Sequence, residues 1–288
     1  MTPDEIARLT LLATIEGNSR FWHGEVERLG AEKVVEDIAD GRYLDARSSG
    51  PRITDAMREL STEKLIESME GLELFTPSSP DWPEQLNQLL APPFALIGKG
   101  NRSAIKDADR SIAIVGSRNP TNYGSRIASD FAAGLVDNEF LIVSGGALGI
   151  DSDAHRGALA ADGRTIAILG GGVHEIYPAS NAHLYRAIME EGLLLSEVLP
   201  HVKAMPHRFL IRNRLIAALA LGTVVIEAAM RSGSIRTARD AGELYRPVMA
   251  VPGPITSPTS AGCHALITER KAELVSSIDE IVRMVEPL

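Results

Sequence analysis

The chain has one cysteine, Cys263, among its 288 residues. No internal disulfide can form, and with only His264 beside it the thiol makes a poor metal site and an unsupported nucleophile. Cys263 is therefore read as structural. No apolar run approaches the length of a membrane span, and the N-terminus lacks the basic, apolar and small-residue order of a secretory leader, so a cytoplasmic location is expected. A Walker A sequence, a G-x-G-x-x-G with an acidic residue placed behind it, and G-x-S-x-G are all missing. Ordinary NTP hydrolysis, dinucleotide redox chemistry and serine hydrolysis lose support, and no cofactor or metal is expected. Positive charge is scarce too: the net charge of -9 argues against a protein that coats nucleic acid indiscriminately.

The charge is nevertheless segregated. Residues 1–100 carry 10 Lys+Arg against 18 Asp+Glu, whereas residues 201–246 carry 8 against 3. An acidic end and a basic segment imply different roles. Helical spacing of Ile6, Leu9 and Leu12, then of Val26, Leu29, Val34 and Ile38, marks residues 1–74 as a small helical domain, with Ser61 capping a helix over Thr62–Met69. It is read as a packed appendage. A proline-rich connection packed on the core follows over 75–110, where Trp82 is expected to anchor linker to domain rather than stack on a base.

From Ser111 to Val251 strand-like and helical runs alternate, the strands being Ile112–Val115, Phe140–Val143, Thr165–Leu169, Leu193–Ser196, Thr223–Ile226 and Pro247–Val251. Near-continuous apolar strands in this rhythm predict an α/β protein with a doubly wound, mostly parallel, Rossmann-like sheet over 111–288. Final helices are expected over Ala265–Ala272 and Ser277–Val285, with no further domain after them.

Ligands of such sheets bind above the carboxyl ends of the strands. Gathered there are Gly116-Ser-Arg-Asn119, the turn Ser144-Gly-Gly-Ala-Leu-Gly149, Gly170-Gly-Gly172, Arg208 to Arg214, and Ser232-Gly-Ser-Ile-Arg-Thr237. The glycine turn at Ser144 either cradles an anion against a helix start or is simply a tight corner. Arg118, Arg208, Arg212, Arg214, Arg231, Arg236 and Arg239 suit several phosphates, while Phe209 and Tyr177 suit stacked bases. The competing expectation is that an arginine is tied to a core carboxylate such as Asp151 or Glu227, and at least one of Arg212 and Arg214 is expected to be structural. His155, one helical turn after Asp151, gives either an acid/base pair or a buried pair holding loop to sheet; with no nucleophile near, the structural pair is favoured.

Ile114-Val-Gly-Ser-Arg118, Val143 to Asp151 with Ala154-His155, Tyr177-Pro178 with Asn181, Arg212-Asn-Arg-Leu-Ile216, Glu227 with Ser232-Gly-Ser234 and Thr237-Ala238, and Val251-Pro-Gly253 resemble the DNA-processing protein A (DprA/Smf) family from residue 75 to about residue 270. The resemblance implies a dimerising Rossmann-like domain that binds single-stranded DNA without sequence preference, shields it and helps load the RecA recombinase during natural transformation. The helical N-terminus is similar to that family's sterile-alpha-motif-like domain. DNA contact carries over to Arg118, to Ser144, Gly145 and Gly146, to Arg208 and Phe209, and to Ser232, Gly233 and Ser234. With the rim positions Gly116, Ser117, Arg212, Asn213 and Arg236 these make the expected contact set. Asp151, His155, Tyr177, Arg214 and Glu227 are expected to support it, and no catalytic residue is assigned.

Two departures stand out: Leu148 occupies a position where many members carry arginine, so that a phosphate contact there is lost or supplied by a neighbour such as Arg236, and a winged-helix domain is not expected. The alternatives are a nucleotide-processing enzyme of the phosphoribohydrolase type and a nucleotide-sensing module. Met230-Arg-Ser-Gly-Ser234 lacks the Pro-Gly-Gly-x-Gly-Thr signature of the former.

Overall fold

In a computed structural model, which describes residues 1–45 and 50–286, the apolar runs lie side by side in one nine-stranded sheet. Five helices precede it: α1 (Pro3–Thr14), α2 (Arg20–Leu29), α3 (Ala31–Ala39), α4 (Gly50–Glu59) and α5 (Thr62–Glu67). Local chemistry sets their starts. The Thr2 hydroxyl accepts from the Glu5 amide while the Glu5 carboxylate takes the Thr2 amide, and the Ser61 hydroxyl accepts from the Lys64 amide ahead of α5.

The sheet begins with β1 (Glu73–Phe75), β2 (Leu96–Gly100) and β3 (Ser111–Val115). Helices and strands then alternate as α6 (Asn122–Asp137), β4 (Leu141–Ser144), α7 (Ile150–Ala160), β5 (Thr165–Leu169), α8 (Ala182–Glu191) and β6 (Leu193–Ser196). The chain continues through α9 (Pro206–Leu219), β7 (Gly222–Val225), α10 (Gly233–Glu243), β8 (Val248–Ala250), α11 (Ala261–Thr268), β9 (Glu273–Leu274) and α12 (Ile278–Val285). Strand order is β1-β2-β6-β5-β4-β3-β7-β8-β9, with β1 and β2 antiparallel to their neighbours and every other pair parallel. The six expected strands are all present. The connection does more than pack on the core: its residues 97–100 pair with β6 and residues 96–98 with β1, so it adds a strand between those two.

Both faces are covered, which is why the strands carry so few polar residues. Ala113, Val115, Val143 and Ile168 meet α9 and α10 on one face, where Trp82 is buried and its Nε1 donates to Asn87 Oδ1 at 3.0 Å, an anchor as expected. Ile112, Ile114, Ile142 and Val224 meet α6, α7 and α12 on the other. Farther along, Ile97, Leu169 and Leu194 share one apolar cluster with α8 and with Leu9, Leu11, Trp22 and Val34 of the leading helices. Cys263 is buried, and burial pushes its thiol up to about 12, consistent with a structural role. Helix α11 starts four residues earlier than the spacing predicts and stops at Glu269, because Arg270 turns left-handed at φ +54°. Among the described residues no helix is long and apolar enough to cross a membrane.

The connectivity fixes where a ligand can sit. From β3 the chain winds outward through β4, β5 and β6, then crosses back by α9 to β7 on the other side of β3. The loops leaving β3 and β7 therefore part in opposite directions, opening a crevice at the carboxyl ends of these two strands.

Candidate functional site

A cavity of about 650 Å³ occupies that crevice. Gly116, Ser117 and Arg118 enter it from the end of β3, Arg231 to Ser234 from beyond β7, Phe209, Arg212 and Asn213 from α9, and Tyr177 from the loop after β5. Asn213 Nδ2 donates to the Gly233 carbonyl at 3.2 Å, holding α9 against the start of α10. Ser232 caps α10, accepting from the Ser234 amide at 3.3 Å, so the helix opens toward the crevice with its first amides and the positive end of its dipole.

Phe209 is the centre of the crevice wall. The Arg118 guanidinium carbon lies 5.5 Å from its ring centroid, and the Tyr177 ring packs on it at 5.5 Å with a 41° tilt. Behind it the chain leaves room for nothing but glycine: a Cβ on Gly170 would stand 2.6 Å from the Phe209 ring. Tyr177, expected as support, is 55% exposed and presents an open ring face. A cation above one aromatic and a second aromatic beside it form a platform for a base with a phosphate partner at its edge.

The arginines divide by partner. Arg118 and Arg231 line the cavity without an ion pair among the described residues. Arg208 is held by Glu16 at 2.7 Å and Arg236 by Asp240 at 2.7 Å, and neither lines the cavity. Leu148 is exposed, and like Arg236 it does not line the cavity. Arg214, half-buried, holds buried Glu197 at 2.5 Å. Arg212 is buried, its Nη1 donating to the Ile168 carbonyl at 2.5 Å and its Nε without a partner. Of the pair two residues apart, Arg212 lines the crevice and Arg214 does not, its guanidinium being held by Glu197. Arg231 belongs with the site although the expected contact set omits it; its position one residue before the Ser232 cap was the available signal.

The glycine turn resolves toward packing. Ser144 is buried and donates to the Ile114 carbonyl at 2.6 Å, while Gly145 and Gly146 are buried below the cavity. A Cβ on Gly145 would lie 2.0 Å from Arg212 Nη1, and one on Gly146, at φ +66°, 2.5 Å from the Tyr185 hydroxyl. These three residues, expected as contacts, are buried and do not line the cavity. Asp151 sits there too. Burial pushes its carboxyl above the ordinary range, with Arg212 and the Ala147 amide pulling it back.

His155 does not pair with Asp151. Its Nδ1 meets Thr165 Oγ1 at 2.7 Å, and that hydroxyl donates to the Ile142 carbonyl at 2.7 Å, so Nδ1 carries the proton and the ring ties α7 to the sheet. Burial drives the imidazole down to about 3, keeping it neutral. Glu227 holds no arginine either. It accepts from the Thr121 amide at 2.9 Å and the Thr121 hydroxyl at 2.6 Å, anchoring the start of α6 beside the crevice.

The acidic end reaches the rim. Glu16, between α1 and α2, meets Arg208 and lies 3.5 Å from His207 Nε2; burial raises its carboxyl, but Arg208, with the His207 contact, outweighs that and holds it below the usual range. An exposed pair of this kind is worth at most about 1 kcal/mol. Glu16→Gln is therefore expected to strengthen binding of a polyanion by up to about fivefold at low salt, with the gain disappearing as salt screens it. An anisotropy titration at two ionic strengths checks this.

Residues 73–286 match the model of the DNA recombination-mediator protein A family. A Mycobacterium tuberculosis relative is 42% identical over 248 residues, covering 81% of this chain and 63% of its own length, so the chain spans less than two thirds of that relative. The X-ray structure of DNA processing protein A from Streptococcus pneumoniae superposes with a TM-score of 0.85 at 32% identity, covering 99% of both chains. The Helicobacter pylori DNA processing protein A, known for its single-stranded DNA binding mode, gives a TM-score of 0.66 at 30% identity over 73% of this chain and 94% of that one.

Proposed function

Because the chain belongs to the DNA recombination-mediator protein A family, we propose that it binds single-stranded DNA without sequence preference along the crevice and shields it. It then helps load a RecA-type recombinase during natural transformation, acting as a cytoplasmic homodimer with no catalysis of its own. The observation that carries this reading is the Arg118–Phe209–Tyr177 platform at the crevice mouth, beside unpaired Arg231 and the opening turn of α10. Stacking tolerates any base and guanidinium groups tolerate any phosphate, so the site suits a strand whatever its sequence. A phosphoribohydrolase is disfavoured because Glu227 is buried and already engaged by Thr121.

The test compares oligo-dT with duplex of equal length across a salt series. The single strand should bind more tightly, with log K falling by about 0.7 per decade of salt for each phosphate neutralised. Equal binding of duplex, or binding indifferent to salt, contradicts the proposal. Light scattering of the free protein should give twice the chain mass.

A further inference from the structure

A second group of nitrogen-bearing side chains lies beside the crevice. Lys99 on β2, His174 in the loop after β5 and His201 in the turn after β6 converge: Lys99 Nζ is 3.1 Å from His174 Nδ1, and the two imidazoles stack with centroids 4.7 Å apart at 26°. The loops meet because Gly172 lets them. Its amide donates to the Val202 carbonyl at 2.8 Å and the His174 amide donates to the Pro200 carbonyl at 2.9 Å, while a Cβ on Gly172 would lie 2.2 Å from the Leu199 and Pro200 carbonyl oxygens.

What the group lacks is a counter-ion. Arg102, Arg208, Arg214 and Arg236 each hold a carboxylate, whereas Lys99, His174 and His201 make no ion pair among the described residues. An ammonium only donates, so His174 must accept at Nδ1 and keep its proton on Nε2. The cluster thus presents the remaining ammonium N–H groups and an imidazole N–H that no protein group accepts among the described residues. Burial, Lys99 and His201 hold His174 below the ordinary imidazole range, against a smaller opposite pull from Glu175, so an anion placed here meets the Lys99 ammonium and a neutral imidazole N–H.

The cluster is also close to the crevice. His174 is three residues from Tyr177, which at about 3.3–3.6 Å per residue limits their backbone separation to about 11 Å. We propose that Lys99, His174 and His201 form a second phosphate-binding point for the strand as it leaves the crevice past Tyr177. This rests on the reading of the crevice as a single-strand site and adds the direction in which the strand departs. A phosphodiester suits the cluster: its two free oxygens accept hydrogen bonds and it has no proton to contribute.

Binding of short and long oligo-dT to wild type, Lys99→Ala, His174→Gln, His201→Gln and Arg118→Ala tests it. The cluster variants should bind the short oligonucleotide as wild type does and the long one about fivefold more weakly, and Lys99→Ala, which removes a charge, should also make the salt slope shallower by about 0.7. Arg118→Ala should weaken both lengths. His201 is exposed and outside the sheet, so His201→Gln serves if Lys99→Ala disturbs β2. Cluster variants that bind the long strand as wild type does overturn the proposal. So does inorganic phosphate that shifts the His174 resonance when the long oligonucleotide does not, which would make free phosphate the ligand. Should Arg118→Ala alone prove silent, the crevice reading fails while the phosphate point stands.

Discussion

Phe209→Leu is expected to weaken binding of oligo-dT about 5- to 150-fold, the loss that follows from removing one base–aromatic stack worth about 1–3 kcal/mol. Leucine keeps an apolar side chain over Gly170, where the ring now packs, but gives Arg118 and Tyr177 no π face between them. The effect should persist at high salt, because stacking is not screened, whereas the loss in Arg118→Ala should shrink. Circular dichroism and the thermal midpoint should stay close to wild type, separating loss of the platform from loss of the fold. Unchanged affinity in Phe209→Leu would remove the platform from the binding site.

Arg214→Met should produce the largest change in stability. Arg214 and Glu197 are both nearly out of solvent, and a Cβ on Gly17 would lie 2.3 Å from the Glu197 carboxyl carbon, so water cannot fill in beside the glutamate without moving the segment after α1. Removing one member of a buried pair costs about 3–5 kcal/mol. Arg214 Nε and Nη1 have no partners, which puts the expected loss at the lower end, about 3 kcal/mol, or a fall of about 6–12 °C in thermal midpoint.

The loss should depend on pH. Burial already raises the Glu197 carboxyl and Arg214 pulls it down, so without the arginine it rises further. A carboxyl higher in the folded state than in the unfolded one stabilises most below its unfolded value and loses that contribution as pH climbs through the folded value. The variant's deficit should accordingly narrow between about pH 7 and about pH 5, and Glu197→Gln in the same chain should recover part of it. A deficit constant across that range would mean that Glu197 is not what Arg214 serves.

The strands were legible because each is an apolar run bounded by glycine or a polar turn, and burial on both faces permits little else. The edges were not. Strand β1 is three residues long and β9 two, so neither carries a pattern apart from the partner it pairs with. In the crevice, the positions of Arg118, Phe209 and Ser232 followed from their places just beyond strand ends or at helix starts. The fate of the other arginines did not follow, because what neutralises them comes from elsewhere: Glu16 is 192 residues from Arg208, and Arg212 is fixed by the carbonyl of Ile168 on another strand. Glycine was ambiguous for a related reason. The same residue type admits an anion or, as at Gly145, a buried guanidinium, and the choice depends on what stands above the turn.

Photocrosslinking of oligo-dT bearing bromodeoxyuridine, with the attached peptides identified by mass spectrometry, tests the central claim most directly. The account predicts adducts on the peptides holding Tyr177 and Phe209, the two rings at the crevice mouth. Adducts confined to the leading helices α1 to α5, or to the far edge of the sheet around exposed Tyr245, with none on those two peptides, would contradict it.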